Sequence, residues 1–64
     1  MFKILVVEDN KNLRKLMVTY LKDNNYETLE AEDGLAALDV MDNNHVDLII
    51  CDVMMPNMDR IWVK

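Results

Sequence analysis

The sequence has a single cysteine, no long hydrophobic run and no excess of basic residues. One cysteine among 64 residues excludes an internal disulfide, which argues against a secreted scaffold and for a reducing, cytoplasmic location. No apolar segment is long enough to cross a bilayer, and no basic, apolar leader precedes a cleavage site. Twelve acidic and seven basic residues give a net charge of −5. This charge disfavours direct binding to nucleic acid or to an anionic membrane, and it suits a cation.

The length of the chain predicts one domain, residues 1–64, with a small core. A chain of this size buries only about 60% of the surface that its unfolded form exposes. Such domains usually need a disulfide, a metal or a partner subunit for stability. The sequence contains no internal repeat, no low-complexity tract and no linker.

Apolar segments that favour strands alternate with amphipathic segments. A run rich in β-branched residues predicts a first strand at Lys3–Val7, and period-two alternation predicts a second strand at Tyr26–Ala31, at a sheet edge. The segment "VDLIICD", residues 46–52, predicts a third strand. The two intervening segments therefore correspond to connecting helices.

Helical periodicity is clear in both connecting segments. In "NLRKLMVTYLKDN" one stripe has helical spacing and consists of Leu13, Leu16, Met17, Tyr20 and Leu21. In "GLAALDVMDNN" the residues expected to face the core are Leu35, Leu38 and Met41.

Capping residues mark the ends of the predicted helices. Asn10 or Asn12 can cap the start of the first helix, and Asn24–Asn25 can end it. Asp33 begins the second helix. Asp59 is expected to cap a last helix that "RIWVK" begins.

The order β-α-β-α-β predicts an α/β fold with a parallel sheet, because crossovers of this length connect parallel strands. Helices on opposite faces give the doubly wound strand order 2-1-3. Ligands of such sheets bind at the carboxyl ends of the strands, where the strand order reverses. Glu8 and Asp9 end the first strand and Asp52 ends the third. Three carboxylates are therefore expected to converge on one crevice.

This convergence is unfavourable by itself. Two carboxylates about 4 Å apart repel by roughly 4 kcal/mol at an effective dielectric constant of 20, and no cluster of lysines lies nearby in the sequence. A hard divalent cation compensates for such a charge, and Mg²⁺ prefers carboxylate, carbonyl and water oxygens. Because Mg²⁺ keeps several waters or a phosphate, the site would accept a phosphoryl donor.

Several polar residues have simpler interpretations. Lys11, Arg14 and Lys15 are expected to form a solvated face of the first helix that borders the acidic crevice. Cys51 is expected to be a small core residue rather than a reactive thiol, and His45 a surface residue.

Three segments together, "ILVVEDN", "AEDGLAAL" and "DLIICDVMMPNMD", resemble the first half of a response-regulator receiver domain of two-component signalling. The resemblance covers nearly the whole chain and implies a flavodoxin-like fold. It also implies that Asp52 is the phosphoacceptor and that a sensor histidine kinase is the partner. By the same resemblance Asp9 binds Mg²⁺ directly, Glu8 binds it through water, and Met54 offers its backbone carbonyl. The resemblance implies a regulatory domain rather than an enzyme.

The chain also departs from that family. Complete receivers are longer and carry a threonine or serine after the fourth strand and a lysine after the fifth, and neither has a counterpart here. Arg60 stands where the family usually has glycine. The resemblance therefore implies a receiver truncated after the third strand, with impaired phosphorylation and without a DNA-binding output segment.

Two other functions stay open. One is a structural half-domain that assembles as a homodimer without signalling. The other is a Mg²⁺-dependent phosphoryl-transfer enzyme of the haloacid-dehalogenase type. Such enzymes usually show D-x-D at the nucleophile, whereas the second position here is Met54.

A homodimer is expected because the third strand would otherwise end the sheet. The segment "DLIICD" is apolar on both faces and has no lysine or proline that protects an edge. The residues expected to meet water in a monomer are Leu48, Ile49, Ile50, Ile61 and Trp62. Antiparallel pairing of the third strands of two copies would give one two-fold symmetric, six-stranded sheet and so complete the fold.

Overall fold

In the computed structural model, which describes residues 2–51 and the backbone of 61–63, a four-stranded sheet carries one helix on each face. The elements follow the chain as β1 (Lys3–Val7), α1 (Lys11–Asp23), β2 (Glu27–Ala31), α2 (Gly34–Asn43), β3 (Leu48–Cys51) and β4 (Ile61–Val63). The predicted alternation of strands and helices over the first five elements is confirmed.

The sheet has the order β2-β1-β3-β4, with β1 parallel to both of its neighbours. Val7, the last residue of β1, is the register partner of Ala31 in β2 and of Cys51 in β3. The predicted parallel order 2-1-3 is therefore confirmed, and β2 lies at a sheet edge as expected. The carboxyl ends of the three parallel strands lie at one side of the sheet.

The described residues that follow the third strand, 61–63, are not helical. Ile61–Val63 forms β4, which is antiparallel to β3 and pairs Ile50 with Ile61 and Leu48 with Val63. The predicted helix over this segment was wrong, because three consecutive β-prone residues satisfy the outer backbone groups of β3. Asp59, its predicted cap, lies outside the described residues. Since β4 occupies this position, β3 is not an edge strand, and the expected β3-to-β3 pairing of two copies was also wrong.

Side-chain caps start both helices. The Asn10 side chain accepts a hydrogen bond from the Leu13 N–H at 3.0 Å, so Asn10 rather than Asn12 is the cap of α1. The Asp33 carboxylate accepts from the Ala36 N–H at 2.8 Å at the start of α2. Each cap satisfies an amide that has no partner within its own helix.

The end of α1 is a Schellman motif. Asn25 has φ 67°, in the left-handed region, and its N–H donates to the Lys22 carbonyl at 3.0 Å. The Tyr26 N–H donates to the Leu21 carbonyl at 3.1 Å. These two bonds satisfy the last carbonyls of the helix and turn the chain into β2.

The core consists of two clusters, one on each face of the sheet. On the α2 side the buried residues are Leu5, Val7, Ala31, Ala37, Val46, Ile49 and Cys51. On the α1 side they are Ile4, Val6, Val18 and Leu21. The alternation of β1 residues between the two clusters follows from the pleat of a strand covered on both faces. The predicted core position of Cys51 is confirmed.

The orientation of α2 differs from the prediction. Leu35 and Leu38 are 81% and 55% exposed, so the expectation that they face the core was wrong. Ala37 is fully buried, and Val40 and Met41 pack against the same cluster. A helix that turns its small residues to the sheet approaches it closely, and here Ala37 rather than Leu38 defines the buried face.

The apolar stripe of α1 is only partly covered. Leu21 is buried and Met17 packs against the core, but Leu16 and Tyr20 are 67% and 68% exposed. The helix α1 packs on β1 and β2 rather than on β3. An apolar groove of about 510 Å³ therefore remains between α1 and β3. The groove is lined by Leu16, Met17, Tyr20, Leu21 and Ile50.

The exposure expected of β3 is confirmed only in part. Leu48 and Ile50 are half-buried, whereas Ile49 is 2% exposed, so the expectation that Ile49 meets water was wrong. Its side chain packs in the cluster beneath α2. The side chains of Ile61 and Trp62 lie outside the described residues.

Candidate functional site

The carboxyl ends of β1 and β3 form the candidate site. Glu8 and Asp9 follow β1 directly, and the last residue of β3, Cys51, is opposite Val7. The structure therefore brings two of the predicted site residues to the end of the third strand. The other two, Asp52 and Met54, lie outside the described residues.

Glu8 and Asp9 differ in their surroundings. Glu8 is only 3% exposed, and its carboxylate Oε2 accepts a hydrogen bond from the Asn10 N–H at 2.9 Å. The backbone N–H of Glu8 donates to the Ala31 carbonyl at 3.0 Å. Asp9 is exposed. One carboxylate is thus oriented by the chain around it, and the next one along the chain is accessible from solvent.

Arg14 also reaches this edge of the sheet, as expected of a residue that borders the acidic crevice, but its contacts there were not predicted. Its Nη1 donates to the Glu8 carbonyl at 2.7 Å, and its Nε lies 3.2 Å from Glu30 Oε1. The Arg14 side chain is only 15% exposed, so its assignment to a solvated face was wrong, whereas Lys11 and Lys15 are exposed as expected.

The position of Arg14 relative to the helix cap is the signal that could have found it. The Arg14 N–H donates to the Asn10 carbonyl at 2.9 Å, in the first turn of α1. A long side chain in the first turn of a helix lies close to the end of the preceding strand. Arginine has several N–H donors that can reach the backbone carbonyls at that strand end.

The donor atoms at this edge suit Mg²⁺. Carboxylate oxygens are the ligands that this hard cation prefers, and it often takes only one or two of them from the protein. Glu8 and Asp9 supply two such groups at adjacent positions. Within the described part of the chain no group of three or more acidic, histidine or cysteine side chains could hold a metal. Glu8 and Asp9 therefore fit the ion as part of a donor set.

A second polar cluster lies at the opposite end of β1. Asp47 Oδ2 accepts from the Lys3 N–H at 2.8 Å, and its Oδ1 lies 2.7 Å from Nε2 of the exposed His45. The backbone hydrogen bond from Lys3, followed by the one from His45, lowers the pKa of Asp47 from its ordinary value of 3.8. The surface position expected of His45 is confirmed. This cluster joins β1 to the start of β3 and lies away from the acidic edge.

Comparison with known proteins gives a consistent result. Residues 4–61 match the family model described as the response regulator receiver domain. The chain is 45% identical over 56 residues to the sensor histidine kinase RcsC of Escherichia coli K12, covering 88% of this chain and 6% of that protein. It is 41% identical over 61 residues to the response regulator MprA of Mycobacterium sp. strain KMS, covering 95% of this chain and 26% of that protein.

A solved structure shows the same fold. The response regulator TrrA from Thermotoga maritima, crystallised in complex with Mg²⁺-BeF, matches with a TM-score of 0.79 and 40% identity. The match covers 91% of this chain and 50% of that one, and it confirms the predicted flavodoxin-like receiver fold. The chain thus spans half of that protein and about a quarter or less of the curated relatives named above. No described helix is long and apolar enough to span a membrane.

Proposed function

Because this chain belongs to the response regulator receiver domain family, we propose that it is a phosphoacceptor module of two-component signalling with Asp52 as the acceptor. The observation that carries the proposal is the register of β1 and β3. Val7 and Cys51 are partners at the ends of parallel strands. Glu8 and Asp9 directly follow the first of these residues, and Asp52 directly follows the second.

The proposed reaction is a phosphoryl transfer. A carboxylate oxygen of Asp52 attacks the phosphorus of a phosphohistidine on a sensor histidine kinase. The new O–P bond forms as the P–N bond to the histidine breaks, which gives an aspartyl phosphate. One of the relatives named above is itself a sensor histidine kinase, which supports this class of partner.

Mg²⁺ is proposed as the cofactor, with Asp9 as a direct ligand and Glu8 as a ligand through water. The remaining protein ligands would be Asp52 and the backbone carbonyl of Met54. When bound, the ion offsets negative charge between the acceptor and the phosphoryl oxygens. The support from this chain is that Asp9 is exposed and that the Glu8 carboxylate is oriented by Asn10. The Mg²⁺-BeF complex of TrrA supports the same choice of metal.

We further propose that the 64-residue chain by itself accepts the phosphoryl group slowly. These residues contain no counterpart of the hydroxyl and lysine side chains that receivers carry after their fourth and fifth strands. Such groups stabilise charge on the transferred oxygens.

Phosphorylation of the purified chain tests the proposal. We expect incubation with acetyl phosphate and Mg²⁺ to add one phosphoryl group, seen by intact mass, and a chelator to prevent the addition. Asp52→Asn should abolish it. Asp42→Asn, which changes an exposed acid of α2, should not. Equal labelling of the Asp52→Asn variant would show that the acceptor is a different residue.

A structural homodimer is the second candidate function. The apolar groove beside α1 favours it, because Leu16 and Tyr20 are both about two-thirds exposed there, at 67% and 68%. Exposed apolar surface of this kind marks an association site. In the dimer proposed here, two copies would associate through their α1 grooves. The β3-to-β3 pairing expected from the sequence is not possible, since the outer side of β3 is already paired with β4.

A further inference from the structure

We propose that Arg14 is a positioning residue for the acidic site, where it fixes the peptide group that joins Glu8 to Asp9. This inference rests on the proposed function, because Mg²⁺ is the ligand whose binding Arg14 would affect. It gives a basic residue on α1 a direct contact with the acidic site, beside which the sequence places only a solvated basic face.

The contact to the Glu8 carbonyl carries the inference. Arg14 Nη1 donates to this oxygen at 2.7 Å. The carbonyl of Glu8 and the amide of Asp9 belong to one planar peptide group. A donor that fixes the direction of this carbonyl therefore fixes the positions of the Asp9 nitrogen and Cα and limits the directions in which the Asp9 side chain can leave the backbone.

A second contact fixes the guanidinium itself. Arg14 Nε lies 3.2 Å from Glu30 Oε1, and Glu30 belongs to β2. The guanidinium thus links the chain after β1 to β2, while the backbone of Arg14 is held in the first turn of α1. The fork of donors on arginine makes this double contact, whereas the single ammonium of lysine is a point charge on a flexible stem.

The charge of Arg14 and its positioning role predict opposite changes in Mg²⁺ affinity when Arg14 is replaced. A guanidinium near a bound cation repels it, so removal of that charge should tighten Mg²⁺ binding if Arg14 acts only through its field. If Arg14 holds the Glu8–Asp9 peptide in place, its removal should weaken binding. The direction of the change in affinity therefore separates the two roles.

The experiment is a Mg²⁺ titration of the 64-residue chain followed by the amide resonance of Asp9. Partners that orient metal ligands typically contribute about 10- to 100-fold in metal affinity, and we expect Arg14→Lys and Arg14→Gln to weaken binding by about tenfold. Lys15→Gln removes the same charge from the neighbouring exposed position and should leave the affinity unchanged or slightly tighter. Glu30→Gln should have a smaller effect than Arg14→Lys, because it leaves the contact to the Glu8 carbonyl intact.

Mg²⁺ affinity and the metal-free Asp9 amide both report on the role of Arg14. Mg²⁺ affinity in the Arg14→Lys variant equal to or tighter than that of the wild type would overturn it. If circular dichroism shows that Arg14→Gln does not fold, the Mg²⁺ affinity of Arg14→Lys alone tests the positioning role. If the wild type binds no Mg²⁺, the proposed metal site fails, and the metal-free Asp9 amide still tests the positioning. That amide should shift and exchange faster in Arg14→Lys, and an unchanged amide would refute the role.

Discussion

Val7 and Cys51 are side by side as the last paired residues of two parallel strands, and both are buried in the same core cluster beneath α2. Because the strands run in the same direction, the residues that follow them leave the sheet at the same edge. Close packing of the core therefore fixes the relative position of two strand ends that are more than forty residues apart in the sequence.

Replacement of Asp9 should weaken Mg²⁺ binding more than replacement of any acid on the helices. We expect Asp9→Asn to reduce the affinity by at least about tenfold, since changes in outer-shell partners alone reach that size. Asp39→Asn is the matched control, because it removes one exposed acid from α2. Isothermal titration of both variants measures the difference, and equal affinities would place the metal elsewhere.

The α1 groove should be the surface that joins two copies of the chain. We expect light scattering to give a dimer that dissociates on dilution, and Leu16→Glu to make the chain monomeric because it places a charge in the groove. Leu35→Glu changes a leucine that is more exposed, at 81%, but lies on the other helix, and it should leave the dimer intact. A folded wild-type monomer at every concentration would exclude the dimer.

Asp47 should make the stability of the fold sensitive to acid. Its folded pKa is lowered from 3.8. The stability that it contributes is therefore fully present above that ordinary value and is lost as the pH falls through the lower folded pKa. Asp47→Asn should be less stable than the wild type near neutral pH, and the difference should shrink in acid.

Urea unfolding from neutral pH to below 3.8 measures the difference in stability between Asp47→Asn and the wild type. Asp42→Asn, at an exposed position of α2, should show no such convergence with the wild type. A constant difference between Asp47→Asn and the wild type at all pH values would show that ionisation of Asp47 is irrelevant.

Asn25 should be a site where glycine is at least as stable as the native residue. Its φ of 67° is in the left-handed region, which costs residues with a Cβ about 1–2 kcal/mol, although asparagine tolerates it better than most. We expect Asn25→Ala to destabilise the chain by about 1 kcal/mol and Asn25→Gly to be neutral or stabilising. Thermal unfolding of Asn25→Ala and Asn25→Gly measures the difference. Equal melting temperatures for the two variants would argue against backbone strain at this position.

Much of the fold could be predicted because its signals are local. The apolar run of β1 and the asparagine and aspartate caps of the helices depend only on neighbouring residues, and Asn10 and Asp33 do cap α1 and α2. The parallel order of the first three strands follows from the length of their connections. The position of Glu8 and Asp9 at the carboxyl end of the sheet then follows from that order.

The errors concern long-range contacts. The segment 61–63 becomes a strand because β3 offers it a partner, and no local pattern specifies that pairing. The choice between Ala37 and Leu38 as the buried residue of α2 depends on how closely the helix approaches the sheet. The contacts of Arg14 were missed because periodicity locates a Cα atom, not the end of a long side chain. The roles of Asp52 and Met54 stay predictions.

The short strand β4 has a consequence for behaviour at high protein concentration. On its side the sheet ends in a strand of three residues, Ile61–Val63, and very short edge strands are poor templates for intermolecular growth. Loss of β4 breaks few hydrogen bonds, so local opening there needs less free energy than global unfolding. On this side of the sheet, growth of β-aggregates should therefore start at β3, at a rate set by the detachment of β4.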